Sequence, residues 1–134
     1  MPKLPCILLV DDDATTNFLN RKLLERLAVA DQVAVARNGR EALGVLHVQC
    51  AQQPSGSPVL VFLDVNMPVM NGIQFLEAYQ QLPPAQQCAL VVVMLTTSVH
   101  PRDVERVSQL PIAGFLPKPL TQQHVEDLLR KHFA

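Results

Sequence analysis

Three consecutive aspartates, Asp11, Asp12 and Asp13, follow directly on the apolar run 6–10. Adjacent carboxylates repel one another, so a compensating partner must make such a cluster tolerable. Further along, Asp64 closes the apolar run 59–63, and Thr96, Thr97 and Ser98 follow the run 89–95. Lys118 and Pro119 follow the short segment 113–117. Clustered carboxylates suit a hard divalent ion with oxygen ligands, above all Mg²⁺. A carboxylate can also act as a nucleophile and form an acyl phosphate. Hydroxyls, backbone donors and an ammonium group supply the positioning and charge neutralisation that phosphoryl transfer demands. Each of these residues alone is ordinary loop chemistry. The set at matching strand ends points to a phosphoryl site.

The elements that must position these residues alternate along the chain. Continuous apolar runs at 6–10, 59–63 and 89–95 read as strands buried on both faces. Residues 32–36 and 113–117 read as two further strands. Between them lie segments with helical character. Residues 15–28 carry Leu19, Leu23 and Leu27 at i, i+4 and i+8, a stripe expected to face the core. Residues 38–48 read as a turn and a helix with Ala42, Leu43 and Leu46 inward, and 49–58 as a loop rich in Gln, Ser, Pro and Gly. The helix 71–82 is stopped by Pro83 and Pro84. Helices at 100–110 and from Thr121, a candidate N-cap, complete the pattern, the last with Val125, Leu128, Leu129 and His132 along one face. Five strands alternating with five helices predict an α/β domain: a doubly wound five-stranded parallel sheet with helices on both faces. In such a sheet the strand ends named above share one rim.

The bulk properties narrow the function classes. At 134 residues the chain fits one domain with a core of its own. A net charge of −1 without a run of Lys or Arg does not suggest a nucleic-acid or anionic-membrane surface. No apolar run approaches the roughly 20 residues needed to span a bilayer. Cys6, Cys50 and Cys88 are an odd count without close spacing, as expected of reduced thiols in a cytoplasmic protein. His47, His100, His124 and His132 form no close metal-ligating pair and are expected at the surface. No P-loop or G-x-G-x-x-G pattern is present, so nucleotide binding has little support.

With "LLVDDD" (8–13), "FLDVNMPVMNG" (62–72), "VVMLTTS" (92–98) and "GFLPKPL" (114–120) in this order, the chain resembles the response-regulator receiver domain of two-component signalling. The resemblance runs from about Cys6 to Phe133 and implies a flavodoxin-like (βα)5 fold with strand order 2-1-3-4-5. It implies Asp64 as phosphoacceptor, Asp12 as metal ligand and Asp11 as its neighbour binding the metal through water. It implies that the Asn66 backbone carbonyl joins Asp64 on Mg²⁺ (or Mn²⁺), with the Asn66 side chain facing the attacking group. Thr96 matches the switch hydroxyl, Lys118 the lysine that pairs with the phosphoryl group, and Phe115 the aromatic that moves with Thr96. Many relatives carry Tyr at that last position, so only its packing role transfers. Thr97 narrows water access to the phosphoryl group on this reading, Gly72 shapes the adjoining loop, and the Lys118–Pro119 bond is expected to be cis. Asp13 is left as a loop or helix-cap residue.

The implied partners are a sensor histidine kinase or histidine phosphotransfer protein, and a downstream protein on the face of the fourth helix, fifth strand and fifth helix. No nucleic-acid or membrane partner is expected, and the chain is expected as a monomer or weak dimer. It is not expected to be an enzyme beyond its own phosphorylation and dephosphorylation. Residues 1–134 are expected to form one receiver domain without an output domain, although a fragment of a longer protein would look the same. Two alternatives stand. "DDDATT" contains D-x-D-x-T as Asp11, Asp13 and Thr15, as in haloacid-dehalogenase-type phosphatases, but Asp64 precedes Thr96 and Lys118, against the order of that family. The other is a receiver-like binding module that signals without phosphate.

Overall fold

The computed structural model describes residues 4–52, 59–64, 69–82, 90–96, 112–117 and 120–133. Their elements run β1 (Leu4–Val10), α1 (Ala14–Leu27), β2 (Ala30–Ala36), α2 (Gly39–Gln52), β3 (Val59–Asp64), α3 (Gly72–Gln80), β4 (Leu90–Thr96), β5 (Gly114–Pro117) and α4 (Gln122–Phe133). The five strands form one sheet in the order β2-β1-β3-β4-β5, and every adjacent pair is parallel. This is the predicted order. The helix expected at 100–110 lies outside the described residues.

Side chains alternate across the sheet, so each strand feeds two cores. Leu8, Val10, Val61, Leu63 and Met94 pack with Ala42 and Leu46 of α2 and with Ile73, Phe75, Leu76 and Tyr79 of α3. Ile7, Leu9, Leu60, Phe62, Val93 and Leu95 pack with Leu24 of α1 and with Val125 and Leu129 of α4. Helices therefore cover both faces, which is why β1 and β3 read as continuous apolar runs rather than alternating ones. Cys6 is buried in the first of these cores. Burial pushes its thiol above the ordinary cysteine value, against a smaller lowering by a hydrogen bond with the Ala34 backbone. Cys50 and Cys88 fall outside what the structure describes at side-chain level.

Two local expectations are corrected. The stripe Leu19, Leu23, Leu27 holds only in part: Leu23 and Leu27 pack against the core shared with α4, but they flank the fully buried face of α1 and Leu19 is outside it. Leu19 is exposed, Leu23 and Leu27 are half-buried, and the buried residues are Asn17, Asn20 and Leu24. The spacing i, i+3, i+7 is still helical, but two of its three members are amides. Helix α2 also continues to Gln52, through positions read as the start of a loop. Its inward face runs Ala42, Leu46, Gln49, and the buried Gln49 hides the helical period from a pattern of apolar residues.

The helix starts at the site end are closed by side chains. Asp13 caps α1, accepting from the Thr15 backbone N–H at 3.0 Å and from Thr16 Oγ1 at 2.8 Å. Asn71 caps α3 reciprocally: the Gln74 N–H donates to Asn71 Oδ1 at 2.8 Å, and the Asn71 N–H donates to Gln74 Oε1 at 3.0 Å. Thr121 accepts from the His124 N–H at 3.2 Å, as its candidate N-cap role requires. Helix α3 ends at Gln80, two residues before the predicted end, with Gln81 as its C-cap.

Candidate functional site

Parallel pairing decides which strand ends meet. Val10 of β1 pairs with Leu63 of β3, so the next residues, Asp11 and Asp64, stand side by side on the carboxyl rim. Both are buried, at 4 % and 8 % exposure, while Asp12 is exposed. One carboxylate oxygen from each of Asp11, Asp12 and Asp64 lies within 4.8 Å of the others. For the buried pair alone, repulsion at that separation is on the order of 3 kcal/mol with an effective dielectric constant near 20. A cation held between these carboxylates would offset that repulsion.

The acid turn is pinned from several sides. The Asp11 N–H donates to the Ala36 carbonyl at 3.1 Å, extending the β1–β2 ladder by one bond. The Asp13 N–H donates to Asp11 Oδ1 at 2.9 Å. Asn17 Nδ2 donates to the Asp11 carbonyl at 2.7 Å. Asn17 belongs to none of the motifs named above. The signal it carried was a polar residue three before Asn20 and seven before Leu24, on what proves to be the inward face of α1.

The opposite wall is shaped by the turn before α3. A Cβ on Gly72 would lie 2.5 Å from the Asp64 carbonyl oxygen and 3.2 Å from Leu63 Cγ. Only glycine lets the start of α3 approach the end of β3 this closely. The Gly39 N–H donates to the Met70 carbonyl at 2.9 Å, tying this turn to the start of α2. Val69, in the same turn, is exposed and sits in the left-handed region at φ 68°.

Of the expected site residues, Asp11, Asp12 and Asp64 converge. Thr96 ends β4, one residue beyond the Asp64–Leu95 pair and opposite Pro117. Phe115 sits on β5 opposite Met94, half-buried against the core shared with α2 and α3. Asn66, Thr97, Lys118 and Pro119 lie outside the described residues. Asp13 is outside the converging cluster and caps α1, which agrees with its expected task and leaves the second acid of a D-x-D-x-T motif engaged with the helix start. His47 is exposed as expected, whereas His124 is half-buried with Nδ1 shielded from solvent.

The donor set fits Mg²⁺. All three groups are hard oxygen ligands, and Mg²⁺ takes one or two carboxylates while keeping several waters. Opposite ligands on one Mg²⁺ stand about 4.2 Å apart at bond lengths of about 2.1 Å. The 4.8 Å span of the three oxygens is close enough for small side-chain rotations, or one bridging water, to close it. Among the described residues, no helix is long and apolar enough to cross a membrane.

The chain is similar to known proteins over nearly its whole length. A sequence model of the response regulator receiver domain matches residues 7–130. The chain is 30 % identical over 132 residues to Transcription factor SKN7 of Chaetomium thermophilum, covering 98 % of this chain and 16 % of that protein. It is 30 % identical over 128 residues to the probable chemotaxis protein CheY of Rhizobium etli, covering 96 % and 92 % of the two chains. It thus spans a small part of the first relative and nearly all of the second. A solved two-component response regulator from Cytophaga hutchinsonii matches with a TM-score of 0.79 at 26 % identity, covering 96 % of each chain.

Proposed function

Because the chain belongs to the response-regulator receiver-domain family, we propose that it is the phosphoacceptor of a two-component relay, with Asp64 as the residue modified. The observation that carries this reading is the convergence of Asp11, Asp12 and Asp64 at the ends of two adjacent parallel strands. An Asp64 carboxylate oxygen attacks the phosphorus of a phosphohistidine, the P–N bond breaks, and the imidazole leaves with the bonding pair and takes up a proton. Asp11, Asp12 and Asp64, with the Asn66 carbonyl, would hold Mg²⁺, which would supply positive charge against the phosphoryl oxygens.

The product carries up to about two added negative charges and three acceptor oxygens on a rim already rich in carboxylates. Thr96 donates its hydroxyl to one of those oxygens and Lys118 pairs with another. Both assignments rest on the family motifs. Drawing these two groups inward repacks Phe115 and shifts the surface made by the helix expected at 100–110, β5 and α4, where a downstream protein reads the change as a population shift. Thr97 and the Asn66 side chain limit water access and so set the lifetime of the acyl phosphate. The donor is a sensor histidine kinase or a histidine phosphotransfer protein, and the setting is cytoplasmic. The chain turns over no other substrate.

Intact-mass analysis after incubation with acetyl phosphate and Mg²⁺ tests this. Native protein is expected to gain the mass of one phosphoryl group and Asp64→Asn to gain none. A phosphoryl group mapped to Asp11 would favour the phosphatase mechanism. No gain in the native protein would favour a binding module that works without phosphate.

A further inference from the structure

We propose that Asn17 is a positioning residue for the divalent-ion site, acting through the peptide that joins Asp11 to Asp12. This rests on the reading that the rim acids hold Mg²⁺. The carbonyl that Asn17 Nδ2 holds at 2.7 Å belongs to the Asp11–Asp12 peptide. That unit is planar, so fixing its oxygen fixes the plane from which both acid side chains depart. The Asp11 N–H is already held by the Ala36 carbonyl, and Asp11 Oδ1 by the Asp13 N–H. Asn17 supplies the restraint on the Asp12 side. Helical side chains lean toward the N-terminus, so a residue one turn into α1 reaches back to this carbonyl.

The cost of Asn17 supports a dedicated task. It is 4 % exposed on the inward face of α1, where an apolar side chain would pack without losing hydration. Its Oδ1 is shielded from solvent and has no hydrogen-bond partner among the described residues. The amide is therefore not kept for a saturated polar network. The bond from Nδ2 to the acid turn is the contact that justifies it. Asn20, one turn further along the same face, is also buried but makes no such bond to the acid turn. It provides an internal control for any effect of removing a buried amide from α1.

The experiment measures Mg²⁺ affinity by calorimetry on folded native protein, Asn17→Leu, Asn17→Ala and Asn20→Leu, with thermal unfolding of each without metal. Groups that orient metal ligands typically change affinity by about 10–100-fold when removed. Asn17→Leu is expected to weaken Mg²⁺ binding at least about tenfold while still unfolding cooperatively, and Asn20→Leu to bind as the native protein does. Asn17→Ala gives the same readout should the leucine variant fail to fold. Native-like Mg²⁺ affinity in a folded Asn17 variant would overturn the proposal. So would equal weakening in the Asn20 variant, which would assign the effect to the seating of α1. Absence of divalent-ion binding by the native protein would remove the metal reading itself, and with it this role.

Discussion

Helices α1 and α3 begin at the same rim, each closed by a side-chain cap, yet they are held in different ways. Helix α3 buries Ile73, Phe75, Leu76 and Tyr79 and turns Gln74, Glu77 and Gln80 to solvent. Helix α1 buries Asn17 and Asn20 beside Leu24 and leaves Phe18 and Leu19 exposed. One helix is seated by apolar area. The other gives up part of that area for a hydrogen bond to the peptide between two rim acids. The contrast shows that the element next to the acid turn is shaped by the turn it must hold, and not only by the core it covers.

The contrast is most easily broken at Phe75. Its ring is fully buried, in contact with the α2–α3 core and at 6.3 Å between ring centroids from Tyr79. Phe75→Ala removes that ring and leaves a cavity, with an expected loss of about 3–5 kcal/mol in denaturant unfolding. A loss below about 1.5 kcal/mol would show that α3 is not seated by apolar burial, and the difference between the two helices would collapse.

The same contrast explains what was legible in the sequence. The helices on both faces follow from runs such as 6–10 and 59–63, which read as strands covered on both sides, whereas the strand order was implied by the resemblance to receiver domains. Helix α3 was legible because its inward residues are apolar. The stripe on α1 caught only the half-buried flank, Leu23 and Leu27, because an apolar pattern cannot see an inward face made of Asn17, Asn20 and Leu24. Gln49 misled in the same way at the end of α2. Asp11, Asp12 and Asp64 were legible because acids after buried strands have little structural reason to cluster. Asn17 was not, because its task depends on a bond spanning six residues that appears only once α1 folds back on the end of β1.

The two caps offer a smaller and sharper comparison. Asp13→Ala and Asn71→Ala each remove an acceptor for backbone N–H groups, and each is expected to cost about 1 kcal/mol. Near-equal losses would show that capping is independent of which face the helix buries. Asp13→Ala carries a further expectation. The bond to Asp11 Oδ1 comes from the Asp13 backbone N–H, so it survives the substitution. Phosphorylation by acetyl phosphate is therefore expected to persist, whereas a phosphatase built on D-x-D-x-T would lose activity with that acid.

The smallest expected effect is the most direct test of α1. Phe18→Ala removes the same atoms as Phe75→Ala, but from a ring 58 % exposed. What the ring contributes is partial contact and the ammonium of Lys22, 5.6 Å from its centroid. A cation–π contact at an exposed site is worth about 0.5–1 kcal/mol. Alanine recovers several tenths of a kcal/mol through its higher helix propensity. These terms oppose each other, so the net change in unfolding free energy is expected within about 0.5 kcal/mol, in keeping with surface substitutions generally. A loss beyond about 1.5 kcal/mol would mean that the ring is covered in solution. The outward face of α1 would then be part of a packed surface, and the difference between the helices would lie in what covers them.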